Sequence, residues 1–147
     1  MQSKTFDFAI PFHEVRDPSG ESFWFPIVMV SLIQPGGYKV QLPLLFDTGA
    51  SVTTLRRDFY SYLGLSRWDE GQAEQVSTAG GPNGTTVYRY QASIELLGKA
   101  IMDCPMHLAD LPVNPLYVGL LGRKQFFDQF GFGFWERDHV LYVTLNP

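Results

Sequence analysis

Apolar and polar positions alternate most clearly from Thr86 to Leu97. Tyr88, Tyr90, Ala92, Ile94 and Leu96 fall on one face and Val87, Arg89, Gln91, Ser93 and Glu95 on the other, which predicts a half-buried antiparallel strand. Tyr38 to Phe46 alternates as well, with Val40, Leu42, Leu44 and Phe46 together. Pro43 and Leu45 make the second face apolar near its end, so this strand is expected to become buried on both sides. Phe23 to Ile33 predicts a strand running into a hairpin turn at Gln34-Pro35-Gly36-Gly37, and Thr5 to Phe12 an edge strand followed by the Asp17-Pro18-Ser19-Gly20 turn. Further strands are expected over Val52–Leu55, Lys99–Leu108, Leu116–Leu121, Phe132–Trp135 and Val140–Leu145. Short helices are expected over Arg56–Leu63, stopped by Gly64, and Lys124–Phe130, capped by Gly131. Trp68 to Gln72 reads as a polar surface connection. Gly80-Gly81-Pro82-Asn83-Gly84, lying between Gln75–Thr78 and Thr85–Tyr90, predicts a hairpin with a glycine-rich tip.

Composition narrows the class. The 147 residues suit one domain, 1–147, with 1–23 as an N-terminal extension or edge strand. The 10 prolines and 14 glycines cut the chain into short segments, which favours an all-β domain with one or two short helices. A net charge of −4 without any Lys/Arg run argues against a nucleic-acid partner. Cys104 is the single cysteine, so no intrachain disulfide forms, and it reads as a small buried hydrophobe. His13, His107 and His139 lack ligand spacing, so no metal or other cofactor is expected; His107 and His139 read as surface or packing residues. The N-terminus lacks a signal-peptide apolar core and no run reaches membrane-span length. The expectation is a cytoplasmic protein with no membrane partner.

One stretch carries chemistry. Leu44-Leu45-Phe46-Asp47-Thr48-Gly49-Ala50-Ser51 ends an apolar strand in a carboxylate. Such an acid is costly there unless it is paired, hydrogen-bonded or protonated. Gly49 lets backbone or ligand approach closely, and Thr48 brings a hydroxyl that can hold a loop. Two such loops face to face would bring two carboxylates together. They would share a proton and titrate as a coupled pair, one serving as base toward water and the other as acid toward a carbonyl.

With these residues the chain resembles the retropepsin-like aspartic proteases, the single-domain relatives of pepsin. Thr53 stands where that family has Ser or Thr. Gly119-Leu120-Leu121-Gly122-Arg123 is similar to its apolar-apolar-Gly-Arg segment, and the glycine-rich hairpin between the two motifs lies where the family places its flap. The resemblance implies an acid-protease β-barrel, closed or partly open. It implies an aspartic endopeptidase whose catalytic residue is Asp47, supported by Thr48, Gly49, Ala50 and Thr53. Thr78, Ala79, Gly80 and Gly81 would form the substrate-binding flap, and Gly122 and Arg123 would be structural residues near the site. The substrate would be a peptide or protein bound as an added strand, with apolar pockets on either side of the cut. No second Asp-Thr-Gly or Asp-Ser-Gly occurs, so a pepsin-like mechanism requires a homodimer.

The chain departs from the pattern at Ser51, where retroviral members carry an acid that pairs with the arginine of the Gly-Arg motif. Arg123 is still expected in a buried ion pair with another partner. The alternative to the enzyme is a non-catalytic monomer of the same fold that binds peptides or partner proteins. Phe126, Phe127, Phe130, Phe132, Phe134 and Trp135 read as core plus a possible dimer surface. Gly131-Phe132-Gly133 is a poor dinucleotide signal without a βαβ context.

Overall fold

The structure, a computed structural model, describes residues 5–78 and 81–146, with residues 78 and 81–83 described by backbone alone. In chain order the strands are β1 (Phe8–Pro11), β2 (His13–Arg16), β3 (Ser22–Phe25), β4 (Ile27–Ile33), β5 (Lys39–Phe46), β6 (Thr53–Arg56), β7 (Gln72–Thr78), β8 (Gly81–Leu96), β9 (Lys99–Ala109), β10 (Gly119–Leu121), β11 (Phe130–Trp135) and β12 (Val140–Leu145). A 3-10 segment covers Arg57–Leu63, and one α-helical turn, α1, covers Phe126–Gln129. Seven strands form the main sheet in the order β4-β5-β10-β6-β9-β8-β7. Ser31–Ile33 of β4 also pair with Ser93–Glu95 of β8, which closes most of that sheet into a ring. A second sheet has the order β1-β12-β11, and β2 and β3 form a separate hairpin. This is the all-β, partly closed barrel that the resemblance implies.

Several expected elements changed at their ends, each for a local reason. The strand expected over Phe23–Ile33 breaks at Pro26, which has no N–H to offer a ladder. Its halves join different sheets, and the Pro26 carbonyl accepts from the Phe46 amide at 2.9 Å. The edge strand expected over Thr5–Phe12 contracts to Phe8–Pro11, and His13–Arg16 pairs instead with β3 across the Asp17–Gly20 turn. In that turn the Asp17 carboxylate accepts from the Ser19 and Glu21 amides. The expected helix after β6 is 3-10 and stops, as expected, at Gly64 with φ +76°. The helix expected over Lys124–Phe130 shrinks to one turn. Gly131 is not its cap but a strand residue opposite Thr144, where a Cβ would lie 2.7 Å from the threonine methyl. Trp68 is half-buried rather than a surface connector, with its ring edge-on to Tyr88 and its carbonyl accepting from the Tyr90 hydroxyl.

The core draws on almost the whole chain, from Phe12 to Val143. Val28, Leu44, Leu55, Ile94, Leu108, Leu121, Phe126, Phe130 and Leu141 are buried in it. The expected alternation holds along β5 and over the second half of β8, where Ala92, Ile94 and Leu96 point inward. At the first half of β8 one position departs from it, while Tyr88 and Tyr90 stay half-buried. Val87, expected on the polar face, is buried because that face borders a cleft rather than solvent.

Candidate active site

The site grows out of the end of β5. Phe46 is buried with its ring 4.9 Å from Phe132 and stacked at 5.7 Å on Phe127, so the residue before the acid is held in an aromatic bed. Asp47 follows, half-buried. Its amide donates to the Leu121 carbonyl at 3.2 Å, and its own carbonyl accepts from Ala50 at 3.2 Å to close a tight turn. Inside that turn the Gly49 amide donates to Asp47 Oδ1 at 2.9 Å. A Cβ on Gly49 would stand 3.2 Å from that carboxylate oxygen, so the glycine lets the acid fold onto its own loop. Thr48 and Gly49 are exposed at the tip.

The Gly-Arg motif lies directly beneath. β10 runs parallel to Leu44–Phe46 and antiparallel to Thr54–Leu55, wedged between β5 and β6. Gly122 follows, and any side chain there would collide with the backbone of Val52 and with the Thr53 nitrogen, 2.6 Å from the position of a Cβ. Thr53, fully buried, turns its Oγ1 to accept the Gly122 amide at 3.0 Å. The Arg123 amide donates to Ala50 and the Lys124 amide to Ser51, each at 2.9 Å. Four successive residues, 121 to 124, thus brace the Asp47 loop from below. Arg123 braces it with its backbone only: its side chain is exposed and forms no salt bridge among the described residues. The expected buried ion pair is therefore absent. With Ser51 in place of an acid, nothing nearby draws the guanidinium inward.

Asp47, Gly49 and Ala50 line one side of a cleft of about 550 Å³. Val76, Thr85 and Val87 of the β7–β8 hairpin line the other. Thr53 and Gly122 support this cleft from within the barrel. Thr78 and Gly81 pair across the hairpin, whereas Ala79 and Gly80 lie outside the described residues.

The sequence reading missed His107. It is neither on the surface nor in passive packing, but 5% exposed in the cleft wall. Its Nε2 lies 2.8 Å from Glu74 Oε2, while Arg89 Nη1 lies 3.2 Å from the other carboxylate oxygen. The hydrogen bond from His107 is the main reason that the Glu74 carboxyl titrates below its ordinary range; burial opposes it and Arg89 assists. One signal could have found the residue: a histidine between Met106 and Leu108 in an apolar strand needs a polar partner. Cys104 is fully buried, and burial pushes its thiol up to about 11, which leaves it a packing residue. Among the described residues no group of three or more His, Cys, Asp or Glu is placed to hold a metal, and no helix is long and apolar enough to cross a membrane.

Residues 31–124, well over half of the chain, match the family model described as aspartyl protease. The chain belongs to that family. Its fold is similar to the crystal structure of a retropepsin-like aspartic protease from Rickettsia conorii. That match has a TM-score of 0.54 at 20% identity, covering 93% of this chain and 94% of the other. A second match, to the EIAV protease in complex with an inhibitor, has a TM-score of 0.43 at 26% identity and covers 74% of this chain and 88% of that one. No curated protein matches the chain by sequence. The family match spans both motifs of this aspartyl protease relative, Asp47-Thr48-Gly49 and Gly122-Arg123.

Proposed function

We propose that this chain is an aspartic endopeptidase that works as a homodimer, with Asp47 of each copy forming the catalytic pair. The observation that carries this reading is the seat of Asp47. It is the acid of the chain's single Asp-Thr-Gly, half-buried at the edge of a cleft and folded onto its own loop by the Gly49 amide. A twofold axis sets it against its copy, since two carboxylates are needed and one chain has one. One carboxylate takes a proton from water as the oxygen attacks the scissile carbonyl; the other gives its proton to the carbonyl oxygen. Collapse of the tetrahedral intermediate returns a proton to the departing amine. The exposed Thr48 grips the partner's loop, Gly49 lies under the substrate backbone, and the β7–β8 hairpin with Thr78, Ala79, Gly80 and Gly81 is the flap. The buried, free Cys104 suits a reducing compartment such as the cytoplasm.

Asp47→Asn tests the assignment. We expect cleavage of a mixed peptide library to fall by about 10⁴-fold, while sedimentation still finds the dimer. Cleavage retained in the variant overturns the reading. Arg123 beside Ser51, exposed and without a salt bridge among the described residues, favours a second reading, a monomeric peptide-binding module, because the loop then lacks an ionic brace at its rim. A strict monomer at high concentration, with and without peptide, would support that module.

A further inference from the structure

The cleft wall contains a polar group for which peptide hydrolysis has no use. His107 is the cross-strand partner of Thr54 on β6 and of Arg89 on β8, and both His107 and Thr54 line the cleft. A carboxylate accepts only, so Nε2 of His107 carries the proton donated to Glu74, and when the ring is neutral Nδ1 is left as an acceptor. Among the described residues nothing pairs with Nδ1, and no fully buried side-chain nitrogen or oxygen lacks a partner. That nitrogen therefore opens on the cleft. Arg89, by fixing the second oxygen of Glu74, keeps the ring from turning away. Two further polar groups lining the cleft are acceptors too. The Thr54 hydroxyl spends its hydrogen on the Val52 carbonyl at 3.2 Å and presents lone pairs, and Asp110 adds a carboxylate at the rim.

We propose that this part of the cleft is a specificity pocket for an uncharged, hydrogen-bond-donating substrate side chain (Ser, Thr, Asn or Gln), read by Nδ1 of His107. The inference rests on the cleft being a peptide-binding cleft, as proposed above, and it replaces the expectation of purely apolar pockets on both sides of the cut. An apolar side chain strips water from Nδ1 and returns no hydrogen bond. An acidic one meets the carboxylates of Asp110 and Asp47 in the same cleft. Glu74 and Arg89 act through His107 and are positioning residues.

The test uses a peptide library randomised on both sides of the cut, incubated with immobilised full-length Asp47→Asn protein; the bound peptides are eluted and sequenced. We expect one position enriched about tenfold in Ser, Thr, Asn and Gln over Leu, Ile and Val. The enrichment should vanish when His107→Leu is added and persist with His107→Gln, which keeps an acceptor. On protein with an unaltered wall, peptides bearing Asn but not Leu at that position should shift the ¹⁵N resonance of His107 Nδ1, a readout that stands even if a variant fails to fold. Apolar enrichment, enrichment indifferent to His107→Leu, an unmoved Nδ1 resonance, or no bound peptide overturns the proposal. Cleavage of the same library by the unmodified protein is scored separately. Selective binding without cleavage would remove the protease reading and leave this pocket standing; cleavage without polar selectivity would do the reverse.

Discussion

The Asp47 loop and the β7–β8 hairpin face each other across one cleft, yet they are built on opposite plans. The loop is short and tied down: Leu121 accepts from Asp47, Arg123 and Lys124 donate to Ala50 and Ser51, and Thr53 and Gly122 meet beneath it with no space left. The hairpin is long and thinly supported. Gln72, Ala73, Gln75, Ser77 and Thr85 are exposed, its register shifts between Val76 and Thr78, and the Gln75–Thr86 side-chain tie lies at the surface. A group that must hold a carboxylate to within a fraction of an ångström gains from the first plan. A segment that must admit and release an extended peptide gains from the second, since elements that move are drawn from the least stable parts of a fold. The contrast teaches that the same kind of side-chain change should have very different effects on the two sides of the cleft.

The largest effect is expected under the loop. Gly122→Ala places a methyl against the backbone of Val52 and Thr53, which have no side-chain rotation with which to yield. We expect a loss of at least about 3 kcal/mol, read as a melting temperature lower by on the order of 10 °C. A shift of a degree or two would break the picture of a rigid seat. Next comes Thr53→Val, which keeps the shape and removes the acceptor of the Gly122 amide in a fully buried place. The orphaned donor should cost about 2 kcal/mol in chemical denaturation. Thr53→Ser, which keeps the hydroxyl, should cost clearly less.

Much of the loop plan was legible because its signals are local. An apolar strand ending in Asp-Thr-Gly, a threonine shortly after it and an apolar-apolar-Gly-Arg run each announce themselves within a few residues. The break at Pro26 did not enter the expected strand Phe23–Ile33, because the apolar run continues on both sides of it. Gly131 read as a helix cap because glycine serves both purposes, and only the pairing with Thr144 decides between them. Of the His107–Glu74–Arg89 cluster, only the need of His107 for a polar partner was legible, not the partners themselves. The cluster's members come from three strands, Glu74 and His107 being 33 positions apart, and they meet only through the register of β7, β8 and β9. Arg123 misled in the reverse sense. With Ser51 in place of the family's acid, a buried ion pair with another partner was still expected, and among the described residues no such partner reaches Arg123.

On the hairpin side the counterpart of Thr53→Val is Thr86→Ala. It also deletes a hydroxyl that accepts a hydrogen bond, here from Gln75 Nε2 at 2.6 Å on an exposed cross-strand pair. Water replaces the lost partner, so the expected cost is about 0.5 kcal/mol. A cost matching that of Thr53→Val would erase the distinction between the two regions.

The smallest effect is a local one and depends on acid. The base of the hairpin is tied to β9 by Glu74, whose carboxyl is held below its ordinary value of 4.5 chiefly by His107. A carboxylate with a lowered folded pKa contributes stability that is fully present above its unfolded pKa and is lost as the pH falls through the folded one. Below pH 4.5 the tie should therefore weaken, first at β7 and not under the loop. Hydrogen exchange, corrected for intrinsic rates, should show the amides of Gln72–Thr78 losing protection on acidification while those of Gly122, Arg123 and Lys124 keep theirs. Glu74→Gln should already show the weakened tie at neutral pH and respond little to further acid. If both regions loosened together, the hairpin and the loop would be one cooperative unit, and closure over a substrate would have to move the catalytic loop as well.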